Sequence, residues 1–258
     1  MIEVDHLHKS FTGAGGKKRV EVVAVDDVTL MARDGEITGL LGPNGAGKTT
    51  TLRMIATLIA PDRGVARVDG LDTTIDAMAV RHKLGVLSDA RGLYVRLTAR
   101  ENIRYYGRLR GMTDDAIREA TERLADMIEM ANLLDRRTDG FSQGERMKVA
   151  IARALVHDPQ NLVLDEPSNG LDIMSTRALR DLIRRLKEHG KCILMSSHIM
   201  QEISALSDRI VIIAGGKTVA FGTSDELIEA AGAKNLEDAF VTLTAGAPGS
   251  SAPLDVTP

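Results

Sequence analysis

The chain has one cysteine in 258 residues, Cys192, which excludes an internal disulfide and suits a reducing compartment. That thiol sits in the apolar run Cys192-Ile193-Leu194-Met195, so it reads as a core side chain rather than a reactive one. Positive charge is not in surplus. Lys and Arg total 33 against 36 Asp and Glu, a formal net charge of −3. No general pull toward nucleic acid follows, local basic patches aside, and no nucleic-acid partner is expected. No apolar run approaches the roughly 18 residues that span a bilayer, so any membrane role is expected to use a separate chain. Met1 leads directly into a strand-like alternation without the basic and apolar regions of a secretory leader. No internal repeat is present.

What is present is punctuated by one stretch, Ile37 to Ile59. An apolar strand-like run stops at Gly42. A glycine-rich turn follows, Gly42-Pro43-Asn44-Gly45-Ala46-Gly47, then Lys48, Thr49, Thr50 and a helical pattern predicted to run to about Ile59, before Pro61. Glycines allow backbone N–H groups to converge on phosphate oxygens, and a helix N-terminus adds partial positive charge. Lys48 is placed to reach β- and γ-phosphates, and the Thr49 hydroxyl to ligate Mg²⁺. The pattern implies a nucleoside triphosphate site.

Around it the chain reads as α/β. Ile2 to Phe11 and Val20 to Leu30 alternate like half-buried strands, separated by an expected exposed turn at Gly13 to Arg19. Its three basic residues read as solvated charge, with anionic headgroups a second reading. From Thr98 to about Leu134 the pattern is helical, with Thr98/Glu101 spaced as a capping box and Thr113 opening a second helix. After Gly140 strands and helices alternate again, including a helix from about Ser175 to His189 and a Gly215-Gly216 hairpin. Thr223/Glu226 and Asn235/Asp238 cap two short helices, and the Ala-, Gly-, Ser- and Pro-rich tail 246–258 is expected to be disordered.

A second signal is Leu162-Val163-Leu164-Asp165-Glu166-Pro167, an apolar strand delivering two carboxylates to the sheet edge where ligands of open α/β sheets bind. Asp165 is expected in the Mg²⁺ shell, and Glu166 to orient the attacking water. A third is Phe141-Ser142-Gln143-Gly144-Glu145-Arg146, opening a helix. Ser142 and Glu145 form a capping box, and the motif also resembles the signature of ATP-binding-cassette (ABC) ATPases, usually Leu-Ser-Gly-Gly-Gln.

The resemblance covers about Ile2 to Phe221. It implies a P-loop NTPase core of the ABC ATPase type, with an N-terminal antiparallel β layer and an inserted helical subdomain at about 94–140. The ATPase domain would span 2–233, with a short C-terminal helix in 234–245. The resemblance further implies that Ser142, Gln143, Gly144 and Glu145 act on ATP held by a second copy of the chain. Ser168 to Asp172 looks like the D-loop facing that copy, His198 like the switch histidine at the γ-phosphate, and Phe11 like the aromatic that stacks on adenine. Glu166, His198 and Lys48 are the expected catalytic set, with ATP and Mg²⁺ as cofactors.

The sequence departs from the pattern at Phe141, Gln143 and Glu145, and at Asp89, where Gln is usual. Asp89 could ligate Mg²⁺ directly or through water, or be a solvated turn residue. Gly92 to Asn102, Arg104 to Leu109 and the Phe-Ser-Gln-Gly signature resemble the sodium-exporter (NatA-type) ATPases of type-2 ABC exporters, with drug exporters close competitors. The implied role is a cytoplasmic ATPase subunit on the inner face of the membrane, joined to an integral membrane permease through the segment Tyr94 to Leu134. The rivals are a soluble ABC ATPase of repair or translation, which one cassette without a long insertion does not fit, and a regulatory module without turnover.

Overall fold

The computed structural model describes residues 1–15, 18–88 and 92–245, without the side chains of 13–20. Asp89, the side chains of Lys17, Lys18 and Arg19, and the tail 246–258 lie outside the described residues.

The strands are β1 (Ile2–Gly15), β2 (Lys18–Ala32), β3 (Ile37–Leu41), β4 (Arg63–Val68), β5 (Leu71–Asp72), β6 (Leu84–Leu87), β7 (Asn161–Asp165), β8 (Cys192–Ser197), β9 (Arg209–Ala214) and β10 (Lys217–Gly222). The helices are α1 (Lys48–Ile55), α2 (Ala77–Lys83), α3 (Ala99–Leu109), α4 (Asp114–Met127), α5 (Gln143–Leu155), α6 (Ile173–Glu188), α7 (Met200–Leu206), α8 (Ser224–Ala230) and α9 (Leu236–Thr244). The strand order is β5-β4-β1-β2-β10-β9-β3-β8-β7-β6. The segment β9-β3-β8-β7-β6 is parallel, β5-β4-β1-β2 is antiparallel, and β10 joins them by pairing with both β9 and β2.

The apolar runs explain this division. β3, β7 and β8 are buried throughout, as strands covered on both faces must be. Their side chains alternate between two cores. Ile37, Leu41, Leu162, Leu164, Ile193 and Met195 face the helical segment, α5 and α6. Leu40, Val163, Cys192 and Leu194 face α1 and the antiparallel layer.

Two boundaries differ from the sequence expectation. The turn predicted at Gly13 to Arg19 is shorter, because β1 and β2 stay paired out to Gly15 and Lys18. Helix α1 ends at Ile55, not near Ile59. Thr57 takes a left-handed φ of 60°, and Leu58 N–H donates to Arg53 C=O at 2.9 Å, closing a Schellman-type stop. Arg81 of α2 holds that stop, donating to Thr57 Oγ1 at 2.7 Å and Thr57 O at 3.2 Å.

Candidate functional site

The glycine-rich turn joins β3 to α1. Gly45 and Gly47 have φ of 81° and 103°, a region side chains resist. A Cβ on Gly47 would lie 2.5 Å from Ala24 O, and one on Gly42 2.3 Å from Ile213 O, so sterics as well as torsion select glycine. The loop is anchored from outside by Gly216 N–H, which donates to Ala46 O at 3.1 Å. Lys48, only 6% exposed, donates to the carbonyls of Gly42 at 2.6 Å and Pro43 at 3.1 Å. Burial pushes its pKa down, and the charges of Glu166 and Asp165 oppose that shift.

Asp165 and Glu166 lie at the end of β7, beside the end of β8. Asp165 Oδ1 accepts from Thr49 Oγ1 at 3.2 Å and from Ser196 Oγ at 2.7 Å. Glu166 adopts a left-handed φ of 48°, which for a residue with a Cβ is a strained backbone. Its N–H donates to Ser196 Oγ at 3.0 Å, and its carboxylate lies 2.8 Å from His198 Nδ1 and 3.9 Å from Lys48 Nζ. Lys48, Glu166 and His198 thus share one cleft. Its walls include Ala24, Asn44 to Thr50 and Asn169, and its ≈ 410 Å³ is of small-ligand size.

Other expected site residues stand elsewhere. Gly42 and Pro43 serve the cleft indirectly, through the carbonyls that hold Lys48. Phe11 is 43% exposed on β1, with Lys9 Nζ 5.7 Å from its ring centre, and is not part of the cleft wall. Ser142, Gln143, Gly144 and Glu145 do not line the cleft either. They open α5, where Ser142 Oγ accepts from Glu145 N–H at 3.2 Å and Glu145 Oε2 from Ser142 N–H at 2.8 Å. Arg136 NH1 lies 3.1 Å from Glu145 Oε1, so the unusual acid is partly neutralised and its pKa lies below the ordinary range, chiefly through the Ser142 N–H bond. Gly144 sits against α6, where a Cβ would lie 2.5 Å from Ser175 Oγ.

Sequence reasoning missed Ser196 and Glu202. Ser196 bonds both acids at the end of β7. Glu202, 4% exposed, accepts from Ser168 Oγ at 2.5 Å and Ser197 Oγ at 3.0 Å, tying the segment after Glu166 to the residue before His198. The Ser196-Ser197 pair beside His198 was the available signal.

A family model described as ABC transporter matches residues 25–169. The chain is 46% identical to the ABC transporter ATP-binding protein NatA of Bacillus subtilis (strain 168), over 88% of this chain and 92% of that protein. It is 38% identical to the doxorubicin resistance ATP-binding protein DrrA of Mycobacterium tuberculosis (strain ATCC 25618 / H37Rv), over 82% of this chain and 64% of that protein. Among solved structures it is similar to a dimeric post-hydrolysis state of the ATP-binding cassette MJ0796 bound to ADP and Pi, with a TM-score of 0.77, 25% identity, and 86% of this chain and 98% of that one covered. With a model matching more than half of its length and a relative this similar along nearly all of it, the chain belongs to the ATP-binding proteins of ABC transporters.

Proposed function

We propose that the chain hydrolyses ATP in the cytoplasm as the motor subunit of an exporter whose membrane-spanning permease is a separate chain. The observation that carries this is the convergence of Lys48, Glu166 and His198 on the cleft formed by the glycine-rich turn. The backbone N–H groups of the turn and Lys48 bind the triphosphate. Glu166, held by Ser196 and facing His198, orients and polarises the attacking water, and His198 contacts the γ-phosphate. Thr49 Oγ1 and Asp165 Oδ1, 3.2 Å apart, are the hard oxygen donors that Mg²⁺ takes from protein, and their pairing fits that ion. When bound it supplies positive charge against phosphate oxygens.

Two copies complete the site. Ser142 and Gly144 lie outside the cleft of their own chain, and the ADP- and Pi-bound structural relative is a dimer. A second copy's α5 N-terminus supplies donors to the γ-phosphate, so closure of the pair depends on ATP and is relieved by hydrolysis. The permease docks on the helical segment that begins at Tyr94.

Sodium is the favoured cargo, on the resemblance of the segment from Gly92 to Leu109 to sodium-exporter ATPases. Drug export is the second reading, supported by the identity to a doxorubicin resistance protein. Sodium flux and doxorubicin uptake in inverted vesicles carrying the reconstituted pair separate the two.

Glu166→Gln tests the catalytic reading. ATP binding persists, turnover falls by at least about 100-fold, and an ATP-dependent dimer accumulates on size exclusion. Hydrolysis within about twofold of wild type would remove Glu166 from its assigned role.

A further inference from the structure

The glycine-rich turn is gripped backbone to backbone from behind. Gly42 rests against Ile213 O of β9 and Gly47 against Ala24 O of β2, with no room for a side chain at either. Between these contacts, at the turn from β9 to β10, Gly216 N–H donates to Ala46 O at 3.1 Å.

Gly216 is itself fixed. Its C=O accepts from the N–H groups of Asp26, at 2.8 Å, and Asp27, at 3.1 Å, both on β2. Next to it Lys217 Nζ lies 3.1 Å from Asp26 Oδ2. Thr218 Oγ1 then donates to Thr29 O at 2.8 Å and accepts from Thr29 N–H at 3.2 Å. The residue has a φ of 80°, and a Cβ on it would lie 2.9 Å from Asp26 N and 3.3 Å from Val25 Cα. Glycine is what lets the turn approach β2 and Ala46 together.

The bond to Ala46 acts on the next residue. Ala46 C=O and Gly47 N–H belong to one planar trans peptide group, so they point in opposite directions. Holding the carbonyl from the hairpin side sets the direction of the Gly47 N–H on the other side. Gly47 lines the cleft, whereas Gly216 does not. Glycine at position 47 leaves that peptide plane free to turn, and a hydrogen bond on its carbonyl opposes the turn. The same bond polarises the amide, which makes its N–H a stronger donor.

We propose that Gly216 is a positioning residue for phosphate binding. Its N–H, acting through Ala46 O, aims the Gly47 N–H at an oxygen of the nucleotide's phosphate chain. This rests on the reading of the cleft as a triphosphate site and adds what sets one of its donors. A bond that only satisfied the buried Ala46 carbonyl would change stability and leave phosphate binding alone.

The test replaces the Gly216 amide by an ester in the full chain, by in vitro translation with a tRNA carrying glycolic acid. The ester deletes this N–H without adding a side chain, and ADP with Mg²⁺ is the probe. In the wild-type chain, made with isotope-labelled glycine, ADP moves the Gly47 amide proton downfield, and the Gly216 amide exchanges slowly throughout. In the ester chain ADP affinity falls about tenfold and the downfield shift shrinks, while the nucleotide-free chain keeps its folded spectrum. Thr218→Val loosens the same hairpin from β2 without touching Ala46, and it keeps wild-type ADP affinity and the full shift. Wild-type affinity with an unchanged Gly47 shift in the ester chain overturns the proposal and leaves the triphosphate reading standing. An equal loss in Thr218→Val does the same, because the hairpin is then only a general support. Should the ester chain not fold, exchange in the wild type decides. Rapid exchange at Gly216 in the ADP-bound chain, or no response of Gly47 to ADP, overturns the proposal, and slow exchange with a Gly47 shift supports it. If neither ADP nor ATP binds the wild-type chain, the triphosphate reading falls and takes the proposal with it.

Discussion

At the scale of single residues, Glu202 ties the segment after Glu166 to the residue before His198 from outside every motif. Its carboxylate is buried at the start of α7, where the helix dipole favours negative charge, and Arg180 lies 3.9 Å away. The two hydroxyls it accepts belong to Ser168 and Ser197, each one or two residues from a proposed catalytic side chain. Glu202→Ala leaves both hydroxyls underbonded and loosens the relation between Glu166 and His198. The expected result is a fall in kcat of about tenfold with little change in KM for ATP. Glu202→Gln, whose amide oxygen still accepts, recovers most of the rate. Equal loss in both variants would show that the charge, not the positioning, matters. This residue was invisible in the sequence because its partners come from three separate segments, and an acid in a helix reads as solvated. Lys48 and the glycines before it were legible for the opposite reason: their constraints are local and backbone-imposed.

At the scale of elements, helix α3 shows how one strong local signal conceals a stronger tertiary one. Thr98 and Glu101 close the capping box that their spacing predicts, at 3.1 Å and 2.8 Å. Asn102, fully buried, does more. It accepts from Tyr94 N–H at 2.9 Å and donates to Tyr94 O, at 3.1 Å, and to Thr98 O, at 2.9 Å, fastening the preceding loop to the helix. Thr98→Ala is expected to cost about 1 kcal/mol in denaturant unfolding. Asn102→Ala removes several satisfied buried bonds and is expected to cost about 3 kcal/mol. The reverse ranking would mean that the cap, not the asparagine, organises this entry to the helical segment. The early stop of α1 has the same lesson. Nothing local ends that helix before Pro61, but the bonds from Arg81 stabilise Thr57 in a conformation its own propensity disfavours.

At the scale of the whole molecule, the ABC fold was legible because buried parallel strands leave continuous apolar runs and the motifs fall at their ends. The division of those runs between two cores was not, since one run feeds both faces of a sheet. The pH dependence of stability belongs to this scale too. His157 lies between β6, where Leu84 O is 3.3 Å from its Nε2, and the charges of Arg110, His82 and Asp158, and among the described residues its Nδ1 has no hydrogen-bond partner. Its pKa is depressed from 6.5 to about 4, so the unfolded chain binds the proton first. The contribution is therefore complete above about pH 6.5 and is lost as pH falls toward 4. Chemical unfolding between pH 7 and pH 4 should show a decline of roughly 2–3 kcal/mol from this group. His157→Gln should flatten that part of the curve, and an unchanged slope would assign it to other groups.

The fully buried Cys192 has a practical consequence at this scale. Its thiol, donating to Ala32 O at 3.4 Å and pushed up to about 12 by burial, is inert to maleimides and methanethiosulfonates in the folded chain. The native protein is in effect already a cysteine-silent background. A single cysteine placed at Met174, 72% exposed at the start of α6, can carry a spin label or dye without removal of the native cysteine. In the proposed dimer, two such labels, one on each copy, would report opening and closing as a distance during turnover.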